Sequence, residues 1–141
     1  MPQFAPHGSS IFEFDNQVLL LRSRGPFNAE HVRAVMAAYE SAAERMRQGG
    51  PWATINVIFE SMLLTADGIE AMGESAQRSR ELGRCAAAYV VPQEVEGRSM
   101  IISALQKVCA GVLPIAFFTE LDDARSWCAQ QIAGAQASQP D

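Results

Sequence analysis

Short strand-like runs of apolar residues alternate with amphipathic helical segments along most of the chain. The runs lie at 52–59, 86–91 and 115–118, and an amphipathic helical segment follows each of them. The clearest helix is predicted over 28–48, where Asn28 can cap the first turn and a Gly-Gly-Pro sequence ends the last. Strands that alternate with helices form right-handed crossovers, so this order predicts a mainly parallel sheet.

Two more strands are predicted before the first helix. Residues 11–14 alternate apolar and charged, 15–17 have turn chemistry, and 18–22 are mostly apolar on successive positions. The other helices are predicted at 67–82, 96–110 and 119–132, and Thr119 is expected to cap the last of them. The whole order predicts an α/β fold with a mainly parallel, mixed five-stranded sheet, an N-terminal β-hairpin and four helices.

The length and composition fit one domain with one core, since the chain has 141 residues and is 48% hydrophobic. We expect tails at 1–10 and 134–141 and a single domain at 11–133, because the ends are rich in proline, glycine and small polar residues. The net charge of −5 gives no basic stripe for nucleic acid. No apolar run reaches the ~20 residues of a transmembrane helix. Together with the absence of a signal-peptide pattern, this predicts a cytoplasmic protein.

Nothing in the sequence indicates a cofactor, a metal site or a catalytic constellation. Cys85, Cys109 and Cys128 have no CxxC spacing and are expected to be buried free thiols. There is no P-loop and no GxGxxG motif. His31, in the first turn of a predicted helix, is expected to be a partly exposed surface residue rather than a general base.

Polar residues follow the predicted strand 52–59, at the edge where open α/β sheets bind their ligands. Glu60 ends this strand, and Ser61, Thr65 and Asp67 follow in the loop. Two interpretations stay open: the carboxylates act as acid and base, or Asp67 caps the next helix while Glu60 is solvated.

Two sets of arginines are also candidates for recognition. Arg22 and Arg24 project from the same side of a strand, and Arg78, Arg80 and Arg84 cluster around the end of the second helix. The positive charges of the second set are favourable at the C-terminus of a helix, which is the negative end of its dipole. The alternative is a patch that recognises an anionic partner.

The order of elements resembles the STAS domain of anti-sigma factor antagonists, and most closely its SpoIIAA-like branch of small stand-alone bacterial proteins. The resemblance extends over about 11–132. Its local features are the Arg-Gly-Pro-Phe sequence at 24–27, the strand 52–59, and the segment 114–127, in which a strand leads into the acidic start of a helix. The resemblance implies a non-enzymatic module that binds a protein partner.

The resemblance also implies which residues would touch that partner. Antagonists of this family carry an Asp-Ser-Ser-Gly-Leu run at the start of the second helix, and a partner kinase phosphorylates its second serine. Gly68 and Ile69 match the run, but Asp67 falls on the phosphoserine position, so phosphorylation there is unknown and the charge is fixed. The implied partner-binding residues are Glu60, Ser61, Thr65, Asp67 and Gly68, together with the second helix.

Two other functions remain open. The SpoIIAA-like branch is similar in architecture to CRAL-TRIO lipid-binding domains, which implies a carrier or sensor of a small apolar or lipid-like ligand. Its pocket would be lined by Phe59, Met62, Leu63, Met72, Phe117 and Phe118, although the same residues can simply fill a core. The second is an enzyme that uses Glu60 or Asp67. An edge strand at 11–14 would also allow a homodimer.

Overall fold

The computed structural model of the protein describes residues 8–138 and shows five strands and four helices in that range. In chain order they are β1 (Ser9–Asp15), β2 (Val18–Arg24), α1 (Ala29–Gln48), β3 (Trp52–Phe59), α2 (Ala66–Glu81), β4 (Arg84–Val90), α3 (Arg98–Cys109), β5 (Ile115–Phe118) and α4 (Leu121–Ala137). None of these helices is both long enough and apolar enough to cross a bilayer.

The five strands form one sheet in the order β1-β2-β3-β4-β5. β1 pairs with β2 antiparallel, and every later neighbour is parallel. This confirms the predicted mixed sheet with an N-terminal hairpin. The register places Leu21, Asn56 and Tyr89 in one row across β2, β3 and β4, so their side chains point to the same face.

The two faces of the sheet are covered unequally. The three-helix face, which carries Leu19, Leu21, Thr54, Asn56 and Tyr89, lies under α1, α2 and α3. The opposite face, called the α4 face, carries Leu20, Ile55 and Ala88 and packs against α4 alone. The result is an asymmetric α/β/α arrangement.

Small residues let α4 approach its face closely. Ala53, Ala86 and Ala88 are fully or almost fully buried beneath Ala124 and Cys128 of the helix. Alanine favours helices by itself, yet β4 is a strand, because its position between two parallel neighbours overrides local propensity. The same burial raises the pKa of the Cys128 thiol to about 12.

Two predicted helix caps are wrong. Thr65, not Asp67, caps α2, and its hydroxyl oxygen accepts the Gly68 N–H at 3.2 Å. The predicted cap Thr119 lies outside α4, where Glu120 occupies the N-cap position without a capping side-chain bond. In both cases the helix begins one residue away from the predicted start, and local sequence alone did not fix which oxygen would face the free N–H groups.

The ordered part of the chain extends into both predicted tails. β1 begins at Ser9, and α4 continues to Ala137. Alternating alanines at the end of α4 have the highest helix propensity and sustain the helix beyond residue 133. Residues 1–7 and 139–141 of the predicted tails lie outside the described residues.

The burial of the β2 side chains predicts a large difference between two aliphatic truncations. Leu21 is completely buried between the sheet and α1, whereas Ile11 on β1 is 73% exposed. Leu21→Ala should lower the free energy of unfolding by about 2–5 kcal/mol, because it removes packing and leaves a void. Ile11→Ala should change it by less than about 0.5 kcal/mol. Urea denaturation of both variants measures this, and equal losses would contradict the assigned faces.

Candidate functional site

The carboxyl ends of β2, β3, β4 and β5 meet at one edge of the sheet, because these strands are parallel. The connections that leave this edge are residues 25–28 before α1, 60–65 before α2, 91–97 before α3 and 119–120 before α4. Open α/β sheets bind their ligands and partners at such an edge, so the candidate site is built from these connections.

Neighbouring loops hold the connection 60–65 from both sides. On one side, the Phe27 N–H donates to the Leu63 carbonyl at 2.8 Å. On the other, the Met62 N–H donates to the Glu96 carbonyl at 2.9 Å, and the buried Ser61 hydroxyl donates to the Glu96 carboxylate at 3.0 Å. Ser61 therefore holds the loop in place and is not available to a partner.

Glycines allow the close contacts around this loop. A Cβ added at Gly25 would lie 2.0 Å from the Ser61 carbonyl oxygen, so a side chain does not fit there. Gly68 is buried in the first turn of α2, where a Cβ would lie 2.7 Å from Leu64 Cδ1. Gly68 thus permits packing beneath the surface instead of contributing to the surface.

Glu60 stands in the left-handed region, with a φ of +65°. This conformation is uncommon for a residue other than glycine and turns the chain sharply at the end of β3. The exposed Glu60 carboxylate accepts from the Arg24 guanidinium at 2.6 Å. An exposed ion pair of this kind adds little stability, so its main effect is to orient both side chains at the edge.

Asp67 is a fixed anion at the start of α2. Its carboxylate is fully exposed and accepts the Thr65 hydroxyl at 2.6 Å. This hydrogen bond is the main cause that lowers the pKa of Asp67 below its ordinary value. The positive end of the helix dipole also favours the charged form at this position.

Other carboxylates follow the carboxyl ends of β3, β4 and β5 at the same edge of the sheet. We call the set the acidic edge; it comprises Glu60, Asp67, Glu94, Glu96, Glu120, Asp122 and Asp123, and all seven are exposed. Two arginines oppose these seven carboxylates: Arg24, at the end of β2, pairs with Glu60, and Arg98 donates from its Nε to the Val91 carbonyl. The edge therefore presents a concentrated negative charge.

Two exposed apolar side chains accompany this charge. Phe59 lies at the end of β3 and is 39% exposed, and Met100 lies in the first turn of α3 and is 62% exposed. The β-bridge between Ser61 and Glu96 brings the connections that begin after β3 and β4 side by side. Apolar contact area thus lies beside the carboxylates, as protein interfaces require.

The structure does not gather the six predicted pocket residues into one pocket. Met62 and Met72 line an internal cavity beneath the three-helix face. Phe117 stacks on Tyr89 at 5.2 Å on that face, but Phe118 lies on the opposite, α4 face. The remaining two are Phe59, which is exposed, and Leu63, which lies against Gly97.

His31 is buried, contrary to the prediction of a partly exposed surface residue. It is 8% exposed, stacks on Phe27 at 5.0 Å between ring centroids, and its Nε2 lies 3.0 Å from the Ser10 hydroxyl. The first turn of α1 faces the β1–β2 hairpin, which local sequence did not indicate. Burial lowers the pKa of His31 below 6.5.

Arg84 is the residue whose environment the sequence analysis missed. It does not join Arg78 and Arg80 on the surface, because β4 begins at Arg84 and directs the side chain under the helices. Arg78 instead forms exposed ion pairs with Glu40 and Glu81. No local signal indicated this burial, because a charged residue next to a glycine such as Gly83 is typical of a turn.

No group of three or more histidine, cysteine or acidic residues within 8–138 is arranged to hold a metal ion. Cys85, Cys109 and Cys128 are free thiols; Cys109 and Cys128 are buried, as predicted, whereas Cys85 is only half-buried. Burial raises the pKa of each. The expected homodimer through β1 stays a prediction, and β1 does form one edge of the sheet.

Comparison with known proteins identifies the fold. No protein-family model matches the chain, and no curated protein matches it. Among solved structures, an anti-sigma factor antagonist from Mycobacterium paratuberculosis is similar with a TM-score of 0.58 and 14% identity, over 86% of this chain and 94% of that one. An uncharacterised protein with a SpoIIAA-like fold from Shewanella loihica PV-4 is similar with a TM-score of 0.57 and 13% identity, over 91% of this chain and 98% of that one. The chain therefore has a SpoIIAA-like fold, as the resemblance implied.

Burial of His31 predicts a pH dependence of stability. Because the folded protein holds the pKa below 6.5, the unfolded chain binds a proton at pH values where the folded chain does not. The free energy of unfolding should therefore fall as the pH drops from about 7 to about 5. His31→Gln does not titrate and can still hydrogen-bond to Ser10, so its decline should be shallower. Urea titrations across this range measure both slopes; parallel curves would contradict the assignment.

Proposed function

We propose that this SpoIIAA-like chain is a non-enzymatic regulatory module that binds a protein partner through the acidic edge, centred on the loop after β3 and the first turn of α2. The observation that carries the proposal is the fixed, fully exposed charge of Asp67 in the first turn of α2, directly after a loop that its neighbours hold by hydrogen bonds. A preorganised loop loses little conformational entropy on binding, which favours recognition by contact.

The chemistry of the edge specifies the partner's surface. Seven exposed carboxylates attract a basic surface and speed its approach. Phe59 and Met100 supply apolar area that such a surface would cover. A stable interface buries about 800 Å² on each partner, so the contact would include the neighbouring connections after β4 and β5 as well as Asp67.

Of the predicted partner-binding residues, Glu60 and Asp67 would touch the partner directly. Thr65 acts through its hydrogen bond to Asp67 and its cap of α2, whereas Ser61 and Gly68 are buried supports. Asp67 stands at the position that the resemblance assigns to a phosphorylated serine. A permanent charge there makes binding independent of a kinase that acts on residue 67.

The enzyme alternative has less support from the same residues. General acid–base catalysis is most efficient when the pKa lies near the working pH, and the Thr65 hydroxyl moves the pKa of Asp67 further below it. Glu60 is ion-paired with Arg24 at 2.6 Å. Two exposed carboxylates held in this way suit electrostatic recognition better than proton transfer.

Charge reversal at Asp67 tests the proposed surface. Tagged wild type, Asp67→Lys and Glu44→Lys would be used to capture proteins from the native cell, followed by quantitative mass spectrometry and reassembly from purified components. Glu44 is exposed on α1, away from the acidic edge, so the control makes the same charge change elsewhere. We expect a partner that binds the wild type and Glu44→Lys with equal affinity and binds Asp67→Lys at least about tenfold more weakly, equivalent to 1.4 kcal/mol or more.

The proposal fails if Asp67→Lys binds the reassembled partner as tightly as the wild type does. It also fails if both charge reversals weaken binding equally, since the attraction would then depend on net charge alone. Thermal denaturation of all three proteins confirms that the comparison is between folded chains.

A further inference from the structure

An internal cavity of about 60 Å³ lies between the three-helix face of the sheet and the helices above it. Its walls are mainly apolar and include Val35, Ile58, Met62, Met72 and Leu105. This face keeps its helices further from the sheet than the α4 face does, because large side chains occupy it. The cavity is therefore a consequence of the way in which this sheet is covered.

A positive charge lies in the wall of this cavity. The Arg84 side chain lines it, and the residue is 6% exposed. Its Nε donates to the Thr54 hydroxyl at 3.0 Å and one terminal nitrogen to the Ser79 hydroxyl at 3.2 Å. The guanidinium also lies over the Tyr39 ring, 4.8 Å from its centroid.

No carboxylate within residues 8–138 forms an ion pair with Arg84. The six ion pairs found in that range all involve other arginines, and each has a solvent-exposed partner. Hydroxyl groups and an aromatic ring are neutral, so they orient the guanidinium without cancelling its charge. A buried charge without a counter-charge is costly, which makes this site favourable for an anion.

The guanidinium also has hydrogen-bonding capacity that the described chain does not use. Of its five N–H groups, two are directed to the Thr54 hydroxyl and one to that of Ser79. The Tyr89 hydroxyl lies nearby, and burial raises its pKa, so the hydroxyl stays protonated. At least one donor is left for an oxygen inside the cavity.

A second polar group in the same wall has no partner. Asn56 lies in the middle of β3, beside Tyr89 of β4 in the parallel register. Its Oδ1 is buried, and no donor within residues 8–138 reaches it. Buried amide oxygens are rarely left unpaired, and rotation of the amide by 180° presents its N–H group instead. Asn56 can therefore donate a hydrogen bond to an oxygen of a bound group or accept one from its N–H or O–H.

We propose that this cavity binds a small organic monocarboxylate of about two to four carbons, whose oxygens accept hydrogen bonds from Arg84 and whose apolar body lies against Met62 and Met72. The proposal is independent of the docking function of the acidic edge. A guanidinium matches a carboxylate through two parallel hydrogen bonds, and the apolar wall suits an alkyl group. A water molecule needs about 10–15 Å³ of such space, so about 60 Å³ holds about four to six non-hydrogen atoms, which limits the ligand to this size.

A phosphate ester fits the wall less well than a monocarboxylate. Among residues 8–138, Arg84 is the one permanently charged cation that lines the cavity. The other basic residue in its wall is His31, whose pKa is lowered by burial. A dianion would therefore bring a second charge that has no counterpart in this wall.

Methionine NMR detects the binding directly. Protein with ¹³C-labelled methionine methyl groups would be titrated with sodium propionate, and with propionamide and sodium chloride as matched neutral and ionic controls. Met62 and Met72 line the cavity, whereas Met46 lies in a separate cluster under α1 and Met100 is exposed. We expect saturable shifts of the Met62 and Met72 signals with propionate, with those of Met46 and Met100 unchanged.

Three results would overturn the proposal. The first is no shift of the Met62 and Met72 signals up to saturating propionate concentrations in the range of tens of millimolar. The second is an equal effect of propionamide, because the charge of Arg84 would then have no part in binding. The third is an equal effect of chloride, which would reduce the cavity to a site for simple halide ions.

A cavity-filling variant tests the location without disturbing Arg84. Ala76 of α2 is buried and lines the cavity, whereas Ala66 of the same helix is exposed. Propionate at ten times its dissociation constant should raise the Tm of the wild type and of Ala66→Val by about 5 °C. Ala76→Val should lose this shift, because the added methyl groups occupy the space. A full shift in folded Ala76→Val would place the ligand elsewhere and contradict the proposal.

Discussion

The unequal covering of the two sheet faces is the constraint on which the rest of the structure depends. Ala53, Ala86 and Ala88 let one helix lie directly on the α4 face. The opposite face carries large and polar side chains, among them Tyr89 and Arg84, and needs three helices to cover it. Small residues on both sides let the α4 backbone lie close to the sheet on the first face. The cavity and the buried charge follow from the second face.

The strands and most helices could be predicted because their signals are local. β3 and β5 have the predicted bounds, Trp52–Phe59 and Ile115–Phe118, since an apolar run between turn residues marks a strand. Helix ends were less predictable. At α2, Thr65 and Asp67 are both good capping residues two positions apart, and only the three-dimensional course of the loop decides which oxygen reaches the Gly68 N–H.

The environments of His31 and Arg84 could not be predicted, because their partners are distant in sequence. His31 contacts Ser10 through the packing of α1 on the hairpin. Arg84 donates to Thr54, thirty residues away, and this contact depends on the parallel register of β3 and β4. A charged residue next to a glycine normally indicates a turn, so composition favoured the surface. Burial at the first position of a strand overrides that expectation.

Leu64 lies between the cavity and the connection that leads from β3 to α2. Leu64 belongs to the loop after β3 and lines the cavity. Its side chain packs against Gly68 in the first turn of α2. A ligand in the cavity and a partner at the edge would influence each other only if each bound one arrangement of Leu64 better than another. By thermodynamic linkage, a partner that prefers this arrangement must then increase the affinity for the ligand by the same factor as the ligand increases the affinity for the partner. A ligand that binds every arrangement of Leu64 equally would leave partner binding unchanged, and the two sites would then act independently.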